Sequence, residues 1–404
     1  MTATVLISIC ALLLFAYIFD ITSAKTKVPS VILLLLLGWT AKLATQFSGL
    51  TVPNLQSILP ILGTTGLILI VLEGSLELDL DKSKFKLIAK ATVVAVVPMV
   101  LLAVGMAFLF QYIEQTSFKI ALGNALPLAI ISSAIAIPSA RHLPKKDKEF
   151  ITYESSLSDI VGIILFNFVT LNDNIEANSV GHFFLELFLM LVVSFVATLG
   201  LALLLSKIKH HVKFTPIIIL IILIYAISKL YHLPALIFIL LFGLFLGNLD
   251  RLRHIELINV LHPEVLEREV HKFKELTAEM TFLIRALFFL LFGFLIESAE
   301  LFNAQTISWA ILITVAIFIL RFISLKLMKL PMPLLYIAPR GLITILLFLS
   351  IPEAQQMLLV NKSLILQIII LTAFVMMFGL MKGKKEVKET TQEDDETPKP
   401  SAIY

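Results

Sequence analysis

Tyr153 to Phe166 reads YESSLSDIVGIILF. Its second half is apolar enough for the interior of a membrane helix, yet its first half carries Glu154 and Asp159 among Ser155, Ser156 and Ser158. On a helix, Ser155 lies one turn before Asp159 on the same face, and Glu154 and Ser158 share the adjacent face. A carboxylate with a hydroxyl one turn away offers hard oxygen ligands to a small dehydrated cation. No His or Cys stands nearby, so the set suits alkali ions better than transition metals. The same carboxylate can take a proton instead, so cation and proton compete for one position. The other reading of Asp159 is a carboxylate that simply bridges helices.

Further ionisable groups fall in apolar surroundings, where each is by default functional or paired. Glu73, in LILIVLEGSLELDL, can complete the ion site, line its approach, or be a plain interfacial glutamate. Glu77, Asp79 and Asp81 lie nearer the water and read as a solvated, cation-attracting rim. Arg321 and Glu154 fall at similar depth in their spans and can form a buried pair, which specifies architecture more than it stabilises. Arg340 sits beside Pro339 and Gly341, where it can offset freed carbonyl dipoles. Arg285 is read as snorkelling toward the water.

Positioning such groups requires membrane helices. The chain has 404 residues, 58% of them hydrophobic and only 15% charged. Its mean hydropathy of +0.97 is that of an all-α polytopic membrane protein. Apolar runs give about thirteen spans of a length that crosses a ~30 Å hydrocarbon core. They lie near 3-22, 29-46, 55-78, 86-112, 118-140, 150-171, 181-206, 214-231, 234-249, 278-297, 304-327, 332-351 and 362-382. Lys and Arg mark cytoplasmic loops. With the N-terminus outside and the C-terminus cytoplasmic, only Lys42, Lys119, Lys229 and Lys362 fall outside, and Arg285, Arg321 and Arg340 fall within spans. Every other Lys and Arg is then inside. Asp159 enters about 13 Å deep at ~1.5 Å per residue, near the midplane.

Residues 251-277 form the longest inner loop. The spacing of Leu266, Val270, Phe273 and Thr277 predicts an amphipathic helix on the inner surface, with a solvated connector as the other reading. The polar stretch 383-404 is expected to be a disordered cytoplasmic tail. The sole cysteine, Cys10, excludes a disulfide framework and a cysteine metal site. No Walker loop, GxSxG or HExxH occurs, so ATP-driven pumping and hydrolytic chemistry within this chain are disfavoured, and no enzyme is expected.

Two spans carry helix breakers at depth. The fifth reads LAIISSAIAIPSARHL, with Pro138 among small residues; the twelfth reads YIAPRGLITILLF, with Pro339, Arg340 and Gly341. In lipid such breaks survive only where protein or a water-filled cavity satisfies the freed backbone. An odd offset separates these spans, so they run in opposite directions. Paired broken helices of opposite direction point to inverted repeats and a secondary transporter with its site at the midplane.

These residues resemble a known family. ESSLSDIVGIILF resembles the ES-x-x-ND-x-x-(G/A) signature of sodium/proton antiporters of the monovalent cation:proton antiporter superfamily. LEGSLELDL resembles the end of that family's third span, TFLIRALFFLLFG its tenth, Arg321 its eleventh-span arginine and APRGLITILL its twelfth-span break. The resemblance runs over most of residues 1-382. It implies a homodimer in the cell's plasma membrane, exchanging a monovalent cation (Na+, or Li+ or K+) for protons, with no cofactor and no nucleic acid. Each protomer would have a mobile core of spans 86-171 and 304-382. Spans 1-78 and 181-297, with the linker 251-277, would form the dimerisation scaffold. Spans 5 and 12 would cross at their breaks. Asp159 would be the exchange carboxylate, Ser155 a ligand, Glu73 a contributor, and Glu154 and Arg321 the structural pair. Two positions depart from the pattern. Ser158 stands where the family has Asn, and the fifth-span Thr-Asp is absent from IISSAIAIPSA. Ser132, Ser133 or freed carbonyls would have to stand in. One central carboxylate fits electroneutral exchange. The alternatives are a channel or transporter of another solute on the same scaffold, or a membrane sensor that does not transport.

Overall fold

The structure, a computed structural model, describes residues 2–26, 28–48, 55, 57–78, 82–172, 177–208, 210, 212–231, 233, 235–252 and 263–395. Among them no strand occurs, and helices carry most of the chain described. The rim acids Asp79 and Asp81, linker residues 253–262 and residues 396–404 lie outside the described residues.

The helices are α1 (Thr2–Thr26), α2 (Ser30–Phe47), α3 (Leu59–Glu77), α4 (Phe85–Glu114), α5 (Phe118–Ala129), α6 (Ser133–Ser139), α7 (Lys145–Leu171) and α8 (Ala177–Lys207). They continue as α9 (Phe214–Leu230), α10 (Leu236–Gly247), α11 (Leu249–Leu252), α12 (Pro263–Leu295), α13 (Ser298–Leu301), α14 (Ala304–Leu327), α15 (Leu342–Ser350) and α16 (Lys362–Asp395). Each expected span falls on one of these helices or on a broken pair of helical pieces. Eight helical segments among the described residues are long and apolar enough to cross a membrane, and α1, α9 and α10 contain shorter apolar stretches.

The packing falls into two sets. In one, α4 packs on α5, α7 and α14, and α14 packs on α16. In the other, α2 packs on α12, α3 on α10 and α12, and α8 on α10. Lipid gives no hydrophobic drive between helices, so close backbone approach through small residues carries the packing. The α2–α12 contact shows this. A Cβ at Gly38 would meet the Leu290 carbonyl, and one at Gly293 the Leu35 carbonyl, so only glycine lets the two helices touch there.

Two segments differ from the sequence reading. The expected surface helix within 251-277 is the first half of α12, continuous with the tenth span. Its apolar face, Leu266, Val270, Phe273 and Thr277, is buried in protein rather than laid on lipid. Phe273 meets Phe214 and Phe242, and Lys213 pairs with Glu269 at 2.6 Å, so this stripe has protein partners. At the other end, α16 runs on through Asp395 into the stretch expected to be disordered. Lys, Glu and Gln dominate that stretch and are good helix formers, so an existing helix propagates through it.

Candidate functional site

The site forms where two breaks cross. In the fifth span, α5 ends at Ala129, Ile130 to Ser132 are extended, and α6 begins at Ser133. The break is therefore not at Pro138, as the sequence suggested. Pro138 lies in the last turn of α6, where it helps to end the helix; a 3-10 turn (Ala140–His142) follows. In the twelfth span, a 3-10 turn (Met332–Tyr336) gives way to non-helical residues 337–341, and α15 begins at Leu342. Here Pro339, Arg340 and Gly341 do form the break, as expected.

Backbone groups freed by a break in an apolar interior must find partners. Three consecutive N–H groups of the fifth-span break find them on three different residues. Ile131 donates to Ser158 Oγ at 3.0 Å, Ser132 to the Pro339 carbonyl at 2.9 Å, and Ser133 to Asp159 Oδ2 at 3.1 Å. The carbonyls at the end of α5 are taken by Arg340. Its Nε donates to Leu128 O at 2.8 Å and its Nη2 to Ala129 O at 3.0 Å, while Nη1 donates to Ala338 O at 2.9 Å. A fixed cation at the carbonyl end of a helix is favourable. The expected offsetting of carbonyl dipoles by Arg340 is what the geometry shows.

Gly341 lies at the crossing. Its backbone is extended, a conformation open to any residue, so space rather than dihedral freedom selects glycine. A Cβ there would come within 2.6 Å of Ile135 Cδ1 and 2.9 Å of Ser132 Oγ.

Asp159 is 1% exposed. Its Oδ2 accepts from both the N–H and the hydroxyl of Ser133, a short bond in the second case. Among the described residues its Oδ1 has no hydrogen-bond partner, and neither has the buried Oγ of Ser132. A buried anionic oxygen with no donor is costly, and calls for a proton, a cation or water. The other expected ligands are placed differently. Ser155 is buried, but its hydroxyl donates to the Ile151 carbonyl in its own helix at 2.7 Å. Ser158 is engaged with Ile131 and also lies 3.9 Å from Met99 Sδ, so its oxygen serves the break. That gives the serine at this position a structural duty.

Glu73 on α3 lines a cavity of about 50 Å3 together with Glu77, Arg141, Lys148, Arg285 and Ser133. Ser133 thus faces this cavity and binds Asp159, placing one residue between the space beside Glu73 and the buried carboxylate. Arg285 does not snorkel. It is buried, and its Nη2 lies 3.8 Å from Asp20 Oδ1, because a buried guanidinium here gains acidic partners that a water-facing one would lack.

The pair foreseen between Glu154 and Arg321 is present. Arg321 Nη1 and Nη2 donate to the two Glu154 oxygens at 2.5 and 2.9 Å, and Nε donates to Leu334 O at 3.0 Å. Both residues are buried. The fork-to-fork geometry fixes α7 to α14 and to the turn before the second break. Sequence reasoning missed Asp20, which pairs with both Arg285 and Arg141. The available signal was a lone acid within the first apolar run.

The family model described as sodium/hydrogen exchanger, transmembrane, matches residues 10–383. No curated protein matches the chain. Among solved structures, the sodium proton antiporter MjNhaP1 of Methanocaldococcus jannaschii at pH 8 is similar in fold, with a TM-score of 0.69 at 17% identity. That match covers 93% of this chain and 100% of MjNhaP1. An electron-microscopy structure of the same antiporter gives a TM-score of 0.64 at 16% identity, covering 99% and 100% of the two chains.

Proposed function

The chain belongs to the sodium/hydrogen exchanger family and is a multi-pass integral membrane protein, and from that premise we propose that it exchanges a monovalent cation for protons at Asp159 by alternating access. One observation carries this reading: Asp159 is buried, with Oδ2 fixed by Ser133 and Oδ1 without a partner among the described residues. The free oxygen holds a proton in one half of the cycle. In the other half it holds a dehydrated cation, helped by the unpartnered hydroxyl of Ser132. One carrier thus serves both ions, and neither crosses without the other.

The absence of a fifth-span carboxylate supports a one-for-one, electroneutral exchange. Ser133 stands in by donating to Asp159, which orders the carboxylate without adding charge. The cavity lined by Glu73, Arg141 and Lys148 lies on the side where the distribution of Lys and Arg places the cytoplasm. We read the structure as facing inward. Rocking of α4–α7 and α14–α16 against the remaining helices would carry Asp159 to the other face, in a homodimer of the plasma membrane.

Reconstitution in liposomes with an internal pH dye tests the reading. Pulses of Na+, Li+ and K+ in turn are expected to move protons with at least one ion, and Asp159→Asn to abolish the movement. Equal activity of the wild type and the variant would sink the mechanism. Insensitivity of the rate to an imposed membrane potential is the expected mark of electroneutrality.

A further inference from the structure

Both arginines that line the cavity beside Glu73 are bound by a carboxylate that is not part of its lining. Asp20, on α1, places Oδ1 3.8 Å from Arg285 Nη2 and Oδ2 3.6 Å from Arg141 Nη1. The two arginines come from different parts of the fold, Arg285 from α12 and Arg141 from the turn after α6. Asp20 is itself positioned by Ser30, whose hydroxyl donates to Oδ1 at 3.4 Å. Within the cavity, Glu73 and Glu77 supply the negative charge against Arg141, Lys148 and Arg285, so the acid at position 20 brings three carboxylates to three cations. Arg285 is attracted by two acids, Glu73 of the cavity lining and Asp20 outside it.

We propose that Asp20 is a positioning residue for cation uptake: it offsets the charge of Arg285 and Arg141, and so leaves Glu73 and Glu77 available to the cation bound for Asp159. With Asp20 neutralised, Arg285 is left to Glu73, and a closed Arg285–Glu73 pair would cancel the charge that concentrates cations there. Arg285 and Asp20 are largely shielded from water, so their attraction and its loss are weakly screened. Asp20 touches neither ion. Its removal should therefore act on cation capture and leave the later steps alone.

This inference rests on the exchange reading, and the test separates the two. The half-saturating cation concentration and the maximal rate are measured in dye-loaded liposomes, and binding of radioactive Na+ is measured on the purified protein. Asp20→Asn is expected to raise the half-saturating concentration roughly threefold or more, with the maximal rate little changed. Asp20→Glu should restore it. Adding Arg285→Gln to Asp20→Asn removes the released cation along with its tether, and should bring the value back toward wild type. Arg141 is half-exposed, so Arg141→Gln should fold, and it should shift the value downward, opposite to Asp20→Asn. A fall in maximal rate at unchanged half-saturation, or no reversal by Arg285→Gln, would overturn the proposal. So would an Arg141→Gln protein with unchanged or weaker uptake. A wild type that binds Na+ but moves no protons would count against the exchange reading alone, and the binding arm would still decide the role of Asp20.

Discussion

The backbone N–H of Ser132 donates to the carbonyl of Pro339 at 2.9 Å, joining the two breaks directly. The bond requires the two segments to approach with nothing between them, and Gly341 provides the room. Gly341→Ala is expected to push Ile135 and Ser132 aside and to slow exchange by tenfold or more. Overpacking of this kind costs ~1–3 kcal/mol, so the protein should still fold. Initial rates in liposomes, compared with the melting temperature in detergent, check this. A variant that exchanges at the wild-type rate would show that the crossing has slack.

Ser158 makes a second prediction, at the position where the family pattern carries Asn. Its Oγ accepts from Ile131 N–H, one of the donors that the break frees. Ser158→Ala leaves that donor buried without an acceptor, at a cost of about 1–3 kcal/mol. The side-chain oxygen of an asparagine can accept the same N–H, so Ser158→Asn should fold and exchange ions. Melting temperatures of both variants decide it: an alanine variant as stable as wild type would remove the structural role assigned to this serine.

The helical character and the residues at the centre were legible in the sequence, because ionisable side chains are conspicuous in apolar runs. Glu154 and Arg321 could be paired from depth alone, since each would be prohibitively costly without the other. The twelfth-span break was legible because Pro339 and Gly341 flank it. The fifth-span break was displaced to Pro138 because a proline announces itself, whereas Ile130 to Ser132 carry no breaker at all. That segment is extended because Ser158, Pro339 and Asp159 offer its N–H groups partners that lie far away in the chain. Tertiary contacts of that kind leave no local mark. Asp20 escaped for the same reason: its meaning depends on Arg141 and Arg285, which are distant in sequence.

Arg340 is expected to be the least replaceable residue of the crossing. It donates to Leu128, Ala129 and Ala338 carbonyls, each a hydrogen bond from a charged donor. Such bonds contribute about 1.5–3 kcal/mol each in other settings, and without the arginine these buried carbonyls lose their side-chain donor. Arg340→Met should therefore give little folded protein. Lysine keeps the charge without the planar fork, so it can serve only part of the carbonyl set. Arg340→Lys should fold with a lowered melting temperature. The yield of monodisperse protein on gel filtration is the measurement, and a well-folded Arg340→Met would contradict the account.

The Glu154–Arg321 pair is expected to be structural rather than part of ion transfer. Its two hydrogen bonds, at 2.5 and 2.9 Å, occupy both Glu154 oxygens, and Leu334 O takes Nε as well as Nη2 of the arginine. Glu154→Gln leaves a buried guanidinium without its counter-charge, and breaking a buried pair from one side costs about 3–5 kcal/mol. A second change, Arg321→Met, removes the stranded charge. An apolar replacement of both partners is often close to neutral, so Glu154→Leu with Arg321→Met should recover much of the lost stability. Exchange in that double variant should persist, with its cation half-saturation unchanged, because the pair holds α7 in place without touching the ion. Unfolding midpoints and liposome rates for the three variants are the measurements. A double variant that regains stability but moves no protons would place Glu154 or Arg321 in the transfer path itself.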